Sequence, residues 1–105
     1  MTDRIVALST CGSAEEAAAV ARGLVEGRFA ACVNIVSGVR SIYRWQGAVE
    51  DAAEWLLVIK TTRARFPELA AELRRLHSYE VPELVALPIL DGLEPYLAWL
   101  GASVE

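Results

Sequence analysis

AACVNIVSGVRSIYRWQG, residues 30–47, is the stretch on which the fold turns. Residues 30–45 read as one long strand: Ala31, Val33 and Ile35 alternate onto one face, and Gly38 marks a bend or bulge. Gln46 and Gly47 then supply a turn. Beyond an acidic patch, EWLLVIKT at 54–61 is apolar at both alternating sets of positions, as a central strand or one covered on two sides requires. Two such runs joined by a turn are a hairpin.

Elements before and after the hairpin fix the order. RIVALST at 4–10 is short and rich in β-branched and aliphatic residues, which suits a buried strand. Ser13 and Glu16 have the capping-box spacing that satisfies orphan N–H groups at a helix start. Ala17, Val20, Ala21 and Leu24 follow at helical spacing, and Gly27 is placed to end the helix. On the other side, Phe66, Leu69, Ala70, Leu73 and Leu76 predict an amphipathic helix over 63–76 with Pro67 in its first turn. ELVALPIL at 83–90 reads as a strand that Pro88 confines to an edge. Asp91 and Glu94 repeat the capping spacing ahead of Pro95, Tyr96, Leu97, Trp99 and Leu100, a short closing helix.

The order is β-α-β-β-α-β plus a helix, the ferredoxin-like split β-α-β pattern of the α+β class, with strands in the spatial order 4-1-3-2 and all neighbours antiparallel. One domain over residues 1–105 is expected from the length and the absence of a linker-like composition. This topology carries Cys11, His77, Tyr79, Glu80 and Glu83 to a common rim, where the first strand ends and the second helix returns. Cys32 opens the second strand at the opposite edge. A Cys11–Cys32 disulfide, which needs Cα atoms within about 7 Å, is therefore not expected, and reduced cysteines fit a cytoplasmic setting.

Thiol, imidazole and carboxylate together suit a borderline or soft metal such as copper or zinc. Against that stands the absence of any C-x-x-C or H-x-x-x-H and the single histidine of the chain. His77 also has an alternative role at a helix end, where a ring near the last carbonyls interacts with the negative end of the dipole. Cys11 as an inert turn thiol and Cys32 as a small buried hydrophobe are alternatives of the same kind. Catalytic patterns are missing: no serine has a nucleophile-elbow context, and no glycine-rich phosphate loop occurs. Glu80 and Glu83 have the residue types of an acid–base pair, in a spacing that a solvated loop across Pro82 shares.

Ten basic residues face fourteen acidic ones, a net charge of −4, with the basic residues gathered on no single expected face. Nucleic acid is thus an unsuitable partner. No signal-peptide pattern opens the chain, and no segment reaches the roughly eighteen apolar residues that span a bilayer. Hydrophobic residues make up 54% of the sequence, Trp and aliphatic runs included. A fold this small hides only about two-thirds of its surface. The surplus predicts a homo-oligomer.

From end to end the chain resembles the CutA divalent-cation tolerance proteins. The resemblance is carried by VARGLVEGRFAACVNI at 20–35, SIYRWQG at 41–47, the strand ending in IKTT at 59–62, HSYEVPELVALPI at 77–89 and YLAWL at 96–100. It implies a ferredoxin-like fold, a tight homotrimer and an association with copper or another divalent cation, without catalysis. On that basis His77, Cys11 and Glu80 are the expected metal residues. Tyr43, Trp45, Lys60, Tyr79, Glu83 and Trp99 are expected at a cleft or interface, with Lys60 a charge partner for a carboxylate or an anionic ligand. Ser78 stands where the family usually has proline, and Ser9 where some bacterial members carry a metal-linked cysteine, with Cys11 two residues later. The competing function is a small-molecule sensor resembling the PII-type trimers, with effectors in clefts between subunits.

Overall fold

In the computed structural model, which describes residues 2–105, the chain runs β1 (Arg4–Cys11), α1 (Ala14–Glu26), β2 (Cys32–Trp45), β3 (Ala48–Thr62), α2 (Phe66–Leu76), β4 (Val85–Pro88) and α3 (Glu94–Ser103). The sheet order is β2-β3-β1-β4 with every neighbouring pair antiparallel. This is the α+β, ferredoxin-like arrangement expected from the element order.

The hairpin is longer than the sequence pattern suggests, because β3 begins at Ala48 and the acidic residues Glu50 and Asp51 lie within it. Trp45 pairs with Ala48, and between them Gln46 and Gly47 both have positive φ, 49° and 81°. That is a type I′ turn, whose twist matches that of the strands it joins and so lets pairing continue to the tip. Gly38, at φ 78°, sits in the register break between Val36 and Val39, the bulge expected there. Above the bulge the Arg40 guanidinium donates to both Asp51 carboxylate oxygens at 2.9 and 2.6 Å across the ladder. The hairpin projects as an arm: the molecule measures 44 × 25 × 23 Å, with a radius of gyration of 14.1 Å against about 13 Å for a compact chain of roughly 100 residues.

Strand alternation divides the sheet into two unlike faces. Ala7 and Cys11 of β1 and Leu57 and Ile59 of β3 point to the face covered by α1 and α2, where Val20, Leu24, Leu69 and Leu73 complete the main core. Their partners in alternation, Val6, Leu8, Leu56 and Val58, share the opposite face with Leu87, which pairs with Val6, and Val85, which pairs with Leu8. Val85 and Leu87 are 50% and 51% exposed. At one end of that face α3 packs down through buried Leu100 and Val104, and the Arg4 Nε donates to the Leu97 carbonyl at 3.0 Å.

Three boundaries differ from expectation. Helix α2 starts at Phe66 with Pro67 in its first turn, and β4 is only Val85–Pro88, an edge strand paired to β1 alone. Asp91 does not cap α3: its carboxylate accepts from the Gly92 N–H, and the N-cap is Leu93. A helix capped by Asp91 would place Pro95 where the first intrahelical N–H is needed, whereas a start at Glu94 leaves Pro95 in the first turn, where no N–H is missed. Cys11 faces Trp55 while Cys32 faces Lys60, five residues along β3 and so roughly 17 Å away at about 3.4 Å per residue. Both thiols are free.

Candidate functional site

Three elements converge at the rim where β1 ends. Ser13 caps α1 by accepting the Glu16 N–H at 3.1 Å, which puts Glu16 in the first turn, beside the end of β1. The Glu16 side chain does not complete the reciprocal capping box. Its Oε2 instead accepts the Ser78 N–H at 2.9 Å and ties α1 to the loop after α2. His77 is the C-cap of α2: its N–H donates to the Leu73 carbonyl at 2.9 Å, and an extended ψ of 140° turns the chain toward β1.

The imidazole is held at both nitrogens. Its Nδ1 accepts the Tyr79 N–H at 3.1 Å, so the ring proton sits on Nε2, which donates to the Thr10 carbonyl at 2.7 Å. Cys11 Sγ lies 3.6 Å from the same Nε2. Donor atoms of Cys11, Glu16 and His77 all fall within 4.8 Å of one another, the one such grouping among the described residues. Burial pushes the Cys11 thiol up to about 11, with the Glu16 and Glu54 charges adding to the effect. For Glu16, burial acts to raise the carboxyl, but the hydrogen bonds from Ser78 and the Gly12 N–H outweigh it and hold it below the ordinary value.

A cavity of about 680 Å³ opens beside this corner, between the arm and the 79–83 loop. The Tyr79 hydroxyl donates to Glu54 Oε2 at 2.7 Å, and Glu54 is only 5% exposed. Gly12 makes room for that bond, since a Cβ there would stand 2.9 Å from the Tyr79 hydroxyl oxygen. Burial raises the Tyr79 phenol, followed by its bond to Glu54, and burial together with the Glu54 charge raises the Glu83 carboxyl. Ser9 anchors the loop from below, its hydroxyl donating to the Glu83 carbonyl at 2.7 Å.

The expected site residues thus fall into four places. Cys11 and His77 meet, and the carboxylate beside them is that of Glu16, whereas Glu80 lies in the cavity wall with Tyr43, Trp45, Tyr79 and Glu83. Lys60 is toward the other end of the sheet, its ammonium on the Asn34 side-chain oxygen. Trp99 is on α3, tilted against Tyr96 at 5.5 Å. Sequence reading missed Glu16 and Glu54. Glu16 carried a usable signal: the split β-α-β topology puts the start of α1 on the rim that receives the end of α2. Glu54 carried a weaker one, a lone acid heading an apolar strand.

Cys11 and His77 have the residue types of a nucleophile and its base, yet the arrangement is not an activated one. An activated thiol has a depressed pKa and partial exposure, while Cys11 is fully buried and its thiol is held protonated.

Fold and rim together define a ferredoxin-like α+β protein that gathers a thiol, an imidazole and a carboxylate at one corner and an acidic, aromatic cavity next to it. The CutA1 divalent ion tolerance protein family matches residues 5–103. The divalent-cation tolerance protein CutA of Thermus thermophilus is 55% identical over 95 residues, covering 90% of this chain and 92% of that protein. Human protein CutA is 44% identical over 99 residues, 94% of this chain but 55% of the human one, so the chain spans about half the length of that relative. The solved structure of the divalent cation tolerance protein (Cut A1) from Thermus thermophilus superimposes with a TM-score of 0.94 at 51% identity, covering 97% of this chain and 99% of its own. The chain belongs to the CutA1 divalent ion tolerance family.

Proposed function

We propose that this protein is a homotrimeric, non-catalytic divalent-cation binder whose ion, copper or another borderline metal, is held at the corner of Cys11, His77 and Glu16. The observation that carries this reading is the convergence of the three donor atoms within 4.8 Å. Thiolate, imidazole and carboxylate are a donor set that copper and zinc accept. Binding has to displace the thiol proton, and ligation by Nε2 has to move its proton to Nδ1, giving up the bonds to the Thr10 carbonyl and from the Tyr79 N–H, so uptake releases the thiol proton and weakens as pH falls. The protonated, buried thiol supports the absence of nucleophilic catalysis.

Assembly is supported by the uncovered sheet face. Leu56, Val58, Val85 and Leu87 form apolar rows there, and an apolar patch of this kind on a small domain favours a subunit contact. The count of three rests on the family resemblance. Light scattering that finds a monomer at micromolar concentration contradicts it.

Calorimetric titration of Cu²⁺ into the wild type, Cys11→Ser, His77→Ala, Glu16→Gln and Glu80→Gln tests the site. Removing Cys11 or His77 is expected to weaken binding about 100-fold or more, beyond what loss of an outer-shell partner costs. Glu16→Gln should matter and Glu80→Gln should not. Unchanged affinity in both Cys11→Ser and His77→Ala excludes the corner as the site.

A second reading is favoured by the cavity: a small molecule bound between the arm and the 79–83 loop, as in a PII-like sensor. A volume of about 680 Å³ is within the usual range of small-ligand sites, roughly 300–1,000 Å³.

A further inference from the structure

We propose that the cavity between the arm and the 79–83 loop binds a small organic diamine or polyamine, with Glu54 anchoring one ammonium at its floor and Glu80 and Glu83 receiving another at its rim. This rests on the small-molecule reading of the cavity and adds the chemical class of the ligand.

Charge gives the first reason. Glu54, Glu80 and Glu83 line the cavity, and among the described residues no Lys, Arg or His does. An anionic effector, a nucleotide or a carboxylate, would meet three like charges and no counter-charge, which is unfavourable at close range. Glu54 is the decisive residue. It is 5% exposed, its carboxylate accepts one hydrogen bond from the neutral Tyr79 hydroxyl, and it takes part in none of the ion pairs among the described residues. A buried carboxylate without a cationic partner is costly, and a bound cation removes that cost.

Geometry decides which cation. Divalent ions bound by oxygen need donors converging at about 2.0–2.6 Å from one point, and the one converging donor group among the described residues is the Cys11 corner. The cavity carboxylates are spread from floor to rim around about 680 Å³, far more than a bare ion occupies. Spread charge matches a ligand whose positive centres are separated by methylenes. The walls suit those methylenes and the ammonium groups alike. Tyr43, Trp45 and Tyr79 offer ring faces that attract cations, and Ile42, Val81 and Pro82 offer apolar contact.

The test titrates 1,4-diaminobutane, its uncharged analogue 1,4-butanediol and the dianion succinate into the assembled protein by calorimetry, with circular dichroism to confirm the fold of each variant. Only the diamine is expected to bind, and added salt is expected to weaken it. Glu54→Gln, which keeps an acceptor for Tyr79, should weaken it about tenfold or more, the worth of one charge-assisted hydrogen bond. Trp45→Ala, at the exposed end of the cavity, should weaken it by about two- to fivefold. Equal diamine affinity in wild type and Glu54→Gln overturns the proposal, as does a silent diamine titration. Binding of the diol or succinate in place of the diamine overturns the amine class and leaves the small-molecule reading standing. Silence from all three removes both. None of these outcomes depends on Cys11 or His77, so the metal corner is judged separately.

Discussion

From Leu57 to Thr61, β3 lies beneath α1 and α2 with Leu57 and Ile59 sealed from solvent, whereas between Ala48 and Ala53 the same strand stands clear of the helices with Val49 63% exposed. Its partner β2 follows suit, and Ile42 on the arm is 66% exposed. Apolar residues of the same kind therefore have opposite surroundings within one hairpin. A two-stranded ribbon is at best marginally stable alone in water, so the arm depends on things the buried end does not: its type I′ turn, the Arg40–Asp51 pair and, in the proposed trimer, a neighbouring subunit. The buried end makes the fold; in the proposed trimer the arm makes the contact.

Substitution at the two ends should separate these tasks. The largest loss of stability is expected at the buried end: Leu57→Ala removes a fully buried side chain from the middle of the core, and deletions of this kind cost about 2–5 kcal/mol. Urea unfolding should show a lowered midpoint with an unchanged slope. A loss of less than about 1 kcal/mol, the range of a surface change, would mean that the core is not where the folding energy resides.

A smaller effect, and of a different sort, is expected from Ile42→Asp on the arm. An exposed side chain contributes little to the fold of one chain, so far-ultraviolet circular dichroism should be unchanged. Association should weaken by about thirtyfold or more, the effect of losing one apolar anchor of about 2 kcal/mol. Sedimentation against concentration measures it. If Ile42→Asp leaves association untouched but lowers stability as much as Leu57→Ala, the contrast between the two ends fails.

The same contrast explains what was legible in the sequence. Helical spacing at Ala17–Leu24 and at Leu69–Leu73, and the unbroken apolar run around Leu57, exposed the core because pattern and burial agree there. The arm hid its true length, since Glu50 and Asp51 read as a loop when nothing but the ladder holds them extended. In the site, Cys11 and His77 could be brought to one rim from topology alone. The same topology puts Glu16 on that rim, but its S-x-x-E spacing reads as a capping box, and only the bond from the Ser78 N–H shows the carboxylate turned to the corner. Asp91 misled for a related reason: its capping pattern was intact, but Pro95 vetoed the helix start that the pattern required. Local signals are read correctly until a distant partner or a missing N–H overrules them.

Cys11 marks the seam between the two ends, for it pairs with Trp55, next to the buried Glu54 where the arm begins. Its thiol is raised from 9.0 to about 11, first by burial and then by Glu16 and Glu54, so the folded state favours the neutral form. The sign follows from proton counting: between these values the unfolded chain has released a proton that the folded chain retains, and stability falls as pH rises. The thiol's contribution is therefore complete below about 9 and gone once pH has passed about 11. Tyr79, also raised, acts in the same direction at the alkaline end. With chelator present, denaturant midpoints of the wild type should decline across this window, and those of Cys11→Ser, whose hydroxyl does not ionise there, should decline less. Tyr79→Phe isolates the phenol's share. A decline in Cys11→Ser as steep as that of the wild type would show that the seam is open to water, and the sharp boundary between a dry core and a wet arm would have to be moved toward Leu57.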